Sequence, residues 1–362
     1  MEIKKVIFVL PSIKTGGGNR VVIELSNQLI LKNIKVDILY PNNSKDINTF
    51  NVSDEINFIK VGDFRFSKIH KLKNLLKTFK YINQNYKNEK IIFTDPIMSI
   101  FLPLVRNNNV YRFIQADDYS IFDDLLILNN RLYLYIYKML AKNSYKYKIN
   151  YIFNSKYTYT KFIQISKRND IAFRLVHPSI SHKIFFNQNL RNGDEINICI
   201  VARKHPLKGF IDFIKPFNSG HIHAINNIFV ISHDDLTDFN LSGVALIRPD
   251  NDKEIALYMN KSHIFISTSW WEGFGLPSLE AMACGCAVLL TNVGGVNEYS
   301  IPNENCLVFE PRNQAELIKK LNILIEDNKL QKKLSKNAIQ KANEFSWEKS
   351  INQLLEILYD IK

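Results

Sequence analysis

Short apolar runs alternate with helical patterns along the whole chain, and this alternation limits the fold more than any single motif does. In the first half, residues 6–10, 35–40, 91–94, 110–115 and 151–154 read as strands. A loop at 11–18 and a helical pattern at 20–31 follow the first of them. The second half repeats the style, with strands expected at 196–201, 228–232, 244–247, 263–267 and 287–290, and helices at 252–261, 277–284 and 314–326. Such runs lack the polar alternation of a half-exposed strand, so both sheet faces should be covered by helices. The pattern predicts two parallel, doubly wound α/β sheets.

The 362 residues exceed what one ordinary core organises, which also suits two domains. The polar run at 187–194 places the expected boundary, giving domains at 1–188 and 189–346, and a last helix at 347–362. No apolar run reaches the roughly 18 residues of a membrane span, and residues 4–10 lead into Pro11 without a cleavage site. A cytoplasmic location is therefore expected. Cys199, Cys284, Cys286 and Cys306 match no zinc or redox spacing, and the histidines show no metal-ligand pattern.

Charge is unevenly placed. Residues 1–190 hold 29 Lys/Arg and 14 Asp/Glu, a balance of +15, while residues 191–362 hold 18 and 21, a balance of −3. The first half should meet something anionic, such as a membrane surface or a lipid diphosphate. Residues 65–90 carry eight Lys/Arg and one Glu, with Phe66, Ile69, Leu72, Leu76, Phe79 and Ile82 at helical spacing. The expectation is that this apolar face packs inward while the lysines attract a membrane. Residues 131–148 add tyrosines among basic residues, suited either to an interface or to a core. No recognition-helix, RRM or zinc-finger pattern supports specific nucleic-acid binding.

The densest chemistry lies after the 263–267 strand, in Glu272-Gly-Phe-Gly-Leu-Pro-Ser-Leu-Glu280. Gly273 and Gly275 open the backbone to close approach, and Pro277 suits the start of a helix whose free N–H groups attract anions. As a bare strand–loop–helix turn the segment would need no carboxylates, yet two glutamates bracket it. After the 196–201 strand come Arg203 and Lys208-Gly209, a guanidinium fork and a point charge for phosphate oxygens. Gly16-Gly17-Gly18 follows the first strand, but Val21 stands where a dinucleotide fingerprint needs glycine. Asp250-Asn-Asp252 fits a metal-binding D-x-D, but its place before a helix favours capping.

Glu272 to Gly285 closely resembles the E-x7-E signature of the family-four (group 1) retaining glycosyltransferases of GT-B fold. Arg203-x4-Lys208-Gly209, Gly294-Gly-Val-Asn-Glu298 and Asn305-Cys-Leu-Val308 are similar to its phosphate pair and closing segments. The resemblance covers about residues 196–350 and touches the first half only through the glycine loop. It implies two Rossmann-like lobes facing across a cleft, the last helix crossing back to the first lobe, and a nucleotide-diphosphate sugar as donor. Arg203 and Lys208 would hold the diphosphate, with Gly17 and Gly18 approaching it. Glu280 would bind the ribose, and Arg248 would lie near the base. Glu272, with the backbone of Gly273, Phe274 and Gly275 and with Leu276, would bind the sugar. The family generally needs no metal and retains the anomeric configuration.

Many members place a histidine at the 110–115 strand end, whereas this chain has none between His70 and His177. Gln115-Ala-Asp117-Asp118 resembles the rhamnosyltransferase branch instead, with Asp117 as a candidate base or, equally, an acidic cap. The expected partners are a nucleotide sugar, a glycan or lipid-linked acceptor, and peripheral contact with an anionic membrane. The alternatives are a basic nucleic-acid- or membrane-binding protein, or a non-catalytic partner subunit of the same fold. The intact Arg203, Lys208, Glu272 and Glu280 argue against the last.

Overall fold

A computed structural model describes residues 3–13, 16–44, 50–119, 131–191, 195–222 and 225–360. The chain divides into two units, Met1–Pro178 with Trp347–Lys362, and Ser179–Ser346.

The first unit is built on β1 (Lys5–Val9), β2 (Lys35–Pro41), β3 (Asn57–Val61), β4 (Lys90–Phe93), β5 (Val110–Ile114) and β6 (Asn150–Phe153). All are parallel, in the order β3-β2-β1-β4-β5-β6. The central strands are buried along almost their whole length, which is why they appear as unbroken apolar runs. The connections carry α1 (Gly17–Leu31), α2 (Lys68–Asn85), α3 (Pro96–Ile100), α4 (Arg131–Ser144) and α5 (Lys156–Ser166). Side-chain caps start three of them: Ser67 accepts from His70 N–H, Asp95 from Met98 N–H and Ser155 from Thr158 N–H.

The second unit repeats the plan with β7 (Asn197–Val201), α6 (Ile211–Asn218), β8 (Asn227–Ile231), β9 (Ala245–Ile247), α7 (Asp252–Lys261) and β10 (Ile264–Ser267). It continues with α8 (Leu276–Ala283), β11 (Ala287–Thr291), β12 (Leu307–Phe309), α9 (Gln314–Glu326) and α10 (Asn328–Ala342). The order β12-β11-β10-β7-β8-β9 is parallel throughout. The final helix, α11 (Trp347–Tyr359), packs on α1 and holds residues 174–177: Gln353 accepts from His177 N–H at 3.0 Å, and Ser350 Oγ donates to His177 O at 2.6 Å.

Three features differ from the sequence reading. β3 and β12 were not expected; both are edge strands, and β3 is only partly buried, so neither shows a long apolar run. The division falls after Pro178 rather than after residue 188. The polar residues near 187–191 are anchors, not a linker. Gln188 N–H donates to Asn260 Oδ1 at 2.7 Å, Asn260 Nδ2 donates to Phe186 O at 3.0 Å, and Arg191 reaches Ser262 O at 2.6 Å and Cys284 O at 2.7 Å. Third, the apolar side of α2 splits: Phe79 and Ile82 are buried, while Phe66, Ile69, Leu72 and Leu76 are exposed. The expectation that this face packs inward holds only for its second half, because ahead of Phe79 the buried positions are Asn74 and Thr78, with Asn74 Oδ1 accepting from Asp63 N–H at 2.9 Å, which leaves Ile69, Leu72 and Leu76 on the other side.

Arg191→Ala removes the donor from two buried carbonyls. Charged hydrogen bonds contribute about 1.5–3 kcal/mol each, so a loss of about 3 kcal/mol in urea unfolding is expected. Arg191→Lys should recover only part of it, since an ammonium cannot reproduce the fork.

Candidate functional site

In the second sheet β7 and β10 are neighbours, yet their connections leave to opposite sides. Ligands of such sheets bind beyond the carboxyl ends at this switch point. The two motif loops leave from these strand ends and lock together. Thr268 Oγ1 donates to Lys208 O at 3.1 Å, and Trp270 N–H donates to Leu207 O at 2.7 Å. Gly209 closes the first loop at φ 58°, and a Cβ there would lie 1.9 Å from Thr268 O. Glycine is therefore required twice, by the left-handed backbone and by contact with the second loop. Trp270 is itself pinned: its Nε1–H donates to Asp212 Oδ2 at 2.6 Å, and the Arg312 guanidinium lies 4.1 Å from its ring centroid.

This docking brings the expected charges together. Lys208 Nζ lies 2.6 Å from Glu272 Oε1, which also accepts from Ser269 Oγ at 2.7 Å. Arg203 Nε donates to Asp234 Oδ2 at 2.9 Å, and the same oxygen accepts Lys204 N–H at 2.8 Å. The Arg203 and Lys208 side chains are each 35% exposed, so both cations remain within reach of solvent. His205, between them, accepts from Leu207 N–H; burial, then Lys208 and Arg203, hold its imidazole below the usual range. Arg248 follows the edge strand β9 and is exposed. Its charge reaches Asp235, next to the carboxylate that holds Arg203.

The glycine loop after Glu272 is braced from behind. Gly295 N–H donates to Glu272 O at 3.1 Å, and a Cβ on Gly295 would lie 1.9 Å from Gly273 O. Tyr299 Oη donates to Gly275 O at 2.7 Å. Phe274 is buried edge-on against Tyr299 and Phe345, and Leu276 is buried too. Their side chains anchor the loop, and what they offer a ligand is backbone. Glu280 lies one turn into α8 and is 4% exposed. Burial first, and then Glu272 and Glu280 among other groups, raise the Tyr299 hydroxyl, so both motif carboxylates lie within electrostatic range of it. Asp234, Ser269, Trp270, Asp212 and Tyr299 were missed from sequence. Only the Gly294-Gly295 pair, four residues before Tyr299, hinted at such a brace.

In the first unit a Cβ on Gly18 would lie 3.6 Å from the Gln115 side chain, which puts the glycine loop beside the end of β5. At Gly16 and Gly17 a Cβ would meet nothing within 4 Å. Thr15 of that loop lies outside the described residues. Asp117 is buried, accepts from Tyr119 N–H at 3.1 Å and lies 3.5 Å from Tyr157 Oη. Beside it, Asp118 pairs with the fully buried Arg112 at 2.9 Å, and Arg112 also donates to Ser144 Oγ at 2.6 Å. Burial pushes Asp118 up to about 6 against the pull of Arg112. The D-x-D reading resolves as capping: Asn251 accepts from Lys253 and Glu254 N–H. Among the described residues no group of three His, Cys, Asp or Glu is placed to hold a metal.

Residues 181–341 match the family described as glycosyl transferases group 1, a span that falls within the second unit. The second unit is thus similar to the group 1 glycosyl transferases. It is 31% identical over 239 residues to an uncharacterized glycosyltransferase of Methanocaldococcus jannaschii, covering 63% of each chain, so under two thirds of that relative is matched. It is 24% identical over 337 residues to a Campylobacter jejuni N,N'-diacetylbacillosaminyl-diphospho-undecaprenol alpha-1,3-N-acetylgalactosaminyltransferase, covering 91% of this chain and 78% of that one. Sucrose-phosphate synthase from Thermosynechococcus elongatus has the same GT-B fold, with a TM-score of 0.82 over 99% of both chains at 18% identity.

Gly295→Ala should cost about 3 kcal/mol or more in denaturant unfolding, because its Cβ meets backbone. Gly17→Ala, facing open space at a helix start, should leave stability unchanged or slightly raised. For Asp118 the folded carboxyl binds more protons than the unfolded one between its ordinary value of 3.8 and about 6. Its contribution to stability therefore falls as pH rises through that window, by up to about 3 kcal/mol. Melting temperature should fall relative to Asp118→Asn from pH of about 4 to about 7; parallel curves would mean that the carboxylate is charged throughout.

Proposed function

We propose that this protein is a retaining glycosyltransferase that moves a sugar from a nucleoside-diphosphate sugar to a glycan or lipid-linked acceptor in surface-polysaccharide synthesis. The observation that carries the reading is the Lys208–Glu272 contact at the β7–β10 switch point, with Arg203 beside it on the same loop. Arg203 and Lys208 bind the diphosphate, and Lys208 exchanges Glu272 for a phosphate oxygen when the donor enters. Glu272 is then free to accept sugar hydroxyls alongside the N–H groups of Gly273 to Leu276. Glu280 accepts the ribose hydroxyls, and Arg248 lies toward the base.

In the transfer, the bond from the anomeric carbon to the diphosphate oxygen breaks as the acceptor oxygen bonds to the same face. The two cations stabilise the charge that develops on the leaving diphosphate, the task a metal performs elsewhere. Gly17, at a helix start with open space beside it, and Gly18, against Gln115, approach the phosphates. Asp117 takes the acceptor proton, oriented by Tyr119 N–H and Tyr157. The rhamnosyltransferase-like Gln115–Asp118 segment favours dTDP-rhamnose, with UDP- and GDP-sugars as alternatives. The diphospho-undecaprenol in the Campylobacter relative's name supports a lipid-linked acceptor, and the basic first half suits one at the inner face of a membrane.

A melting series against UDP, GDP, dTDP and their sugars tests this reading. A ligand that binds only the folded state raises the melting temperature. One diphosphate should do so with or without EDTA. Lys208→Ala should weaken that nucleotide about 30- to 100-fold, the loss of one or two charge-assisted hydrogen bonds. Binding without donor hydrolysis or transfer would instead indicate a non-catalytic partner subunit.

A further inference from the structure

Two helices of the first unit each carry two apolar stripes, and only one stripe of each is buried. In α4, Leu134, Tyr137 and Ala141 face inward. Leu132, Tyr135, Ile136, Met139 and Leu140 lie outside at i, i+3, i+4, i+7 and i+8, the repeat of a complete apolar helix face. Leu132 is 71% and Tyr135 68% exposed. In α2, Ile69, Leu72 and Leu76 form an outward stripe, preceded by Phe64 and Phe66, with Phe64 75% and Ile69 66% exposed. Single exposed leucines are ordinary, but two helical stripes are not. Both helices cover the same side of the sheet. Phe79 and Ile82 of α2 and Met98 of α3 share one core with Ile7, Val9, Ile91 and Phe93, and α4 packs against α3.

The charge around these stripes identifies the partner. Lys73 and Lys80 lie beside the α2 stripe, Lys77 between them pairs with Asp63 at 3.0 Å, and Lys142 adjoins the stripe of α4. From Phe64 to Asn88, and from Arg131 to Lys148, there is no acidic residue. A twofold interface between copies would set lysine against lysine, and interface cores are depleted of lysine. A bilayer with anionic headgroups meets both requirements: the apolar stripes enter the acyl boundary, and the lysines reach back to phosphate. We propose that the outward faces of α2 and α4 form a docking surface for an anionic lipid bilayer. The proposal goes beyond the transfer reading and is independent of the donor chemistry.

Sedimentation of the full chain with vesicles tests it, using phosphatidylcholine alone and phosphatidylcholine mixed with phosphatidylglycerol. Binding is expected to the anionic vesicles only, weakening with added salt. Ile69→Ser with Leu72→Ser, and separately Ile136→Ser with Met139→Ser, should each lower partitioning about tenfold or more. Lys73→Gln should lower it about fivefold. These positions are exposed, so the variants should keep the wild-type melting profile. The proposal is overturned if serine variants bind as well as wild type, or if no vesicle is bound at low salt. It is equally overturned if the stripes mediate a dimer that the serine variants dissolve. Any of these results leaves the nucleotide melting series untouched, so the two readings fail separately.

Discussion

The geometry of the candidate site depends on one steric constraint, the contact of Gly209 with the backbone of Thr268. A parallel sheet that winds both ways puts β7 beside β10 and sends their connections apart. That alone leaves two loops near each other without register. Gly209 lets the first loop sit close against the second, and Thr268 and Trp270 then tie it at Lys208 and Leu207. Because Lys208 is held at its own carbonyl, its backbone stays within side-chain reach of Glu272. The Asp212–Trp270 hydrogen bond extends the same restraint into α6.

Electrostatics gives that geometry its character. Each exposed cation faces one carboxylate, Lys208 with Glu272 and Arg203 with Asp234. Pairs exposed to this degree contribute little to stability, so the arrangement is better understood as a poised charge than as a fastening. The ammonium is a compact charge on a flexible stem and can change partners at small cost. In the proposed reading this exchange couples donor arrival to the release of Glu272 for the sugar. Structural strength lies behind the loop instead, where Gly295, Tyr299 and Phe274 hold the glycine backbone from its buried side.

Much of this was legible in the sequence, for reasons that also explain what was not. Glu272, Glu280, Arg203 and Lys208 stand next to strand ends, and strand ends in a doubly wound sheet are adjacent in space whatever their separation in sequence. Asp234 also follows a strand, but a single Asp after β8 carries no pattern that separates it from a turn residue. Phe274 is expected to offer a sugar only its backbone, and its ring belongs to the core, because a glycine on each side frees the backbone to turn it inward. The α2 stripe failed differently. Periodicity shows that residues share a face but not what the face meets, and here the buried side continues through the polar Asn74 and Thr78 and not through Leu72 and Leu76.

The two units therefore divide unlike tasks, and their sequences differ accordingly. The match to the group 1 family lies inside the slightly acidic second unit, where setting two cations and their carboxylates on adjacent strand ends demands fixed glycines and fixed spacings. The strongly basic first unit uses another kind of constraint. Its buried Arg112–Asp118 pair and the Gln115–Gly18 contact hold one strand end in place, while its outer helices need only suitable composition at helical spacing. A surface that meets disordered lipid headgroups tolerates many arrangements of lysine and leucine, whereas a site for one phosphate chain tolerates few. This difference in required precision accounts for why the second unit could be read motif by motif, and the first only by its charge and its periodicity.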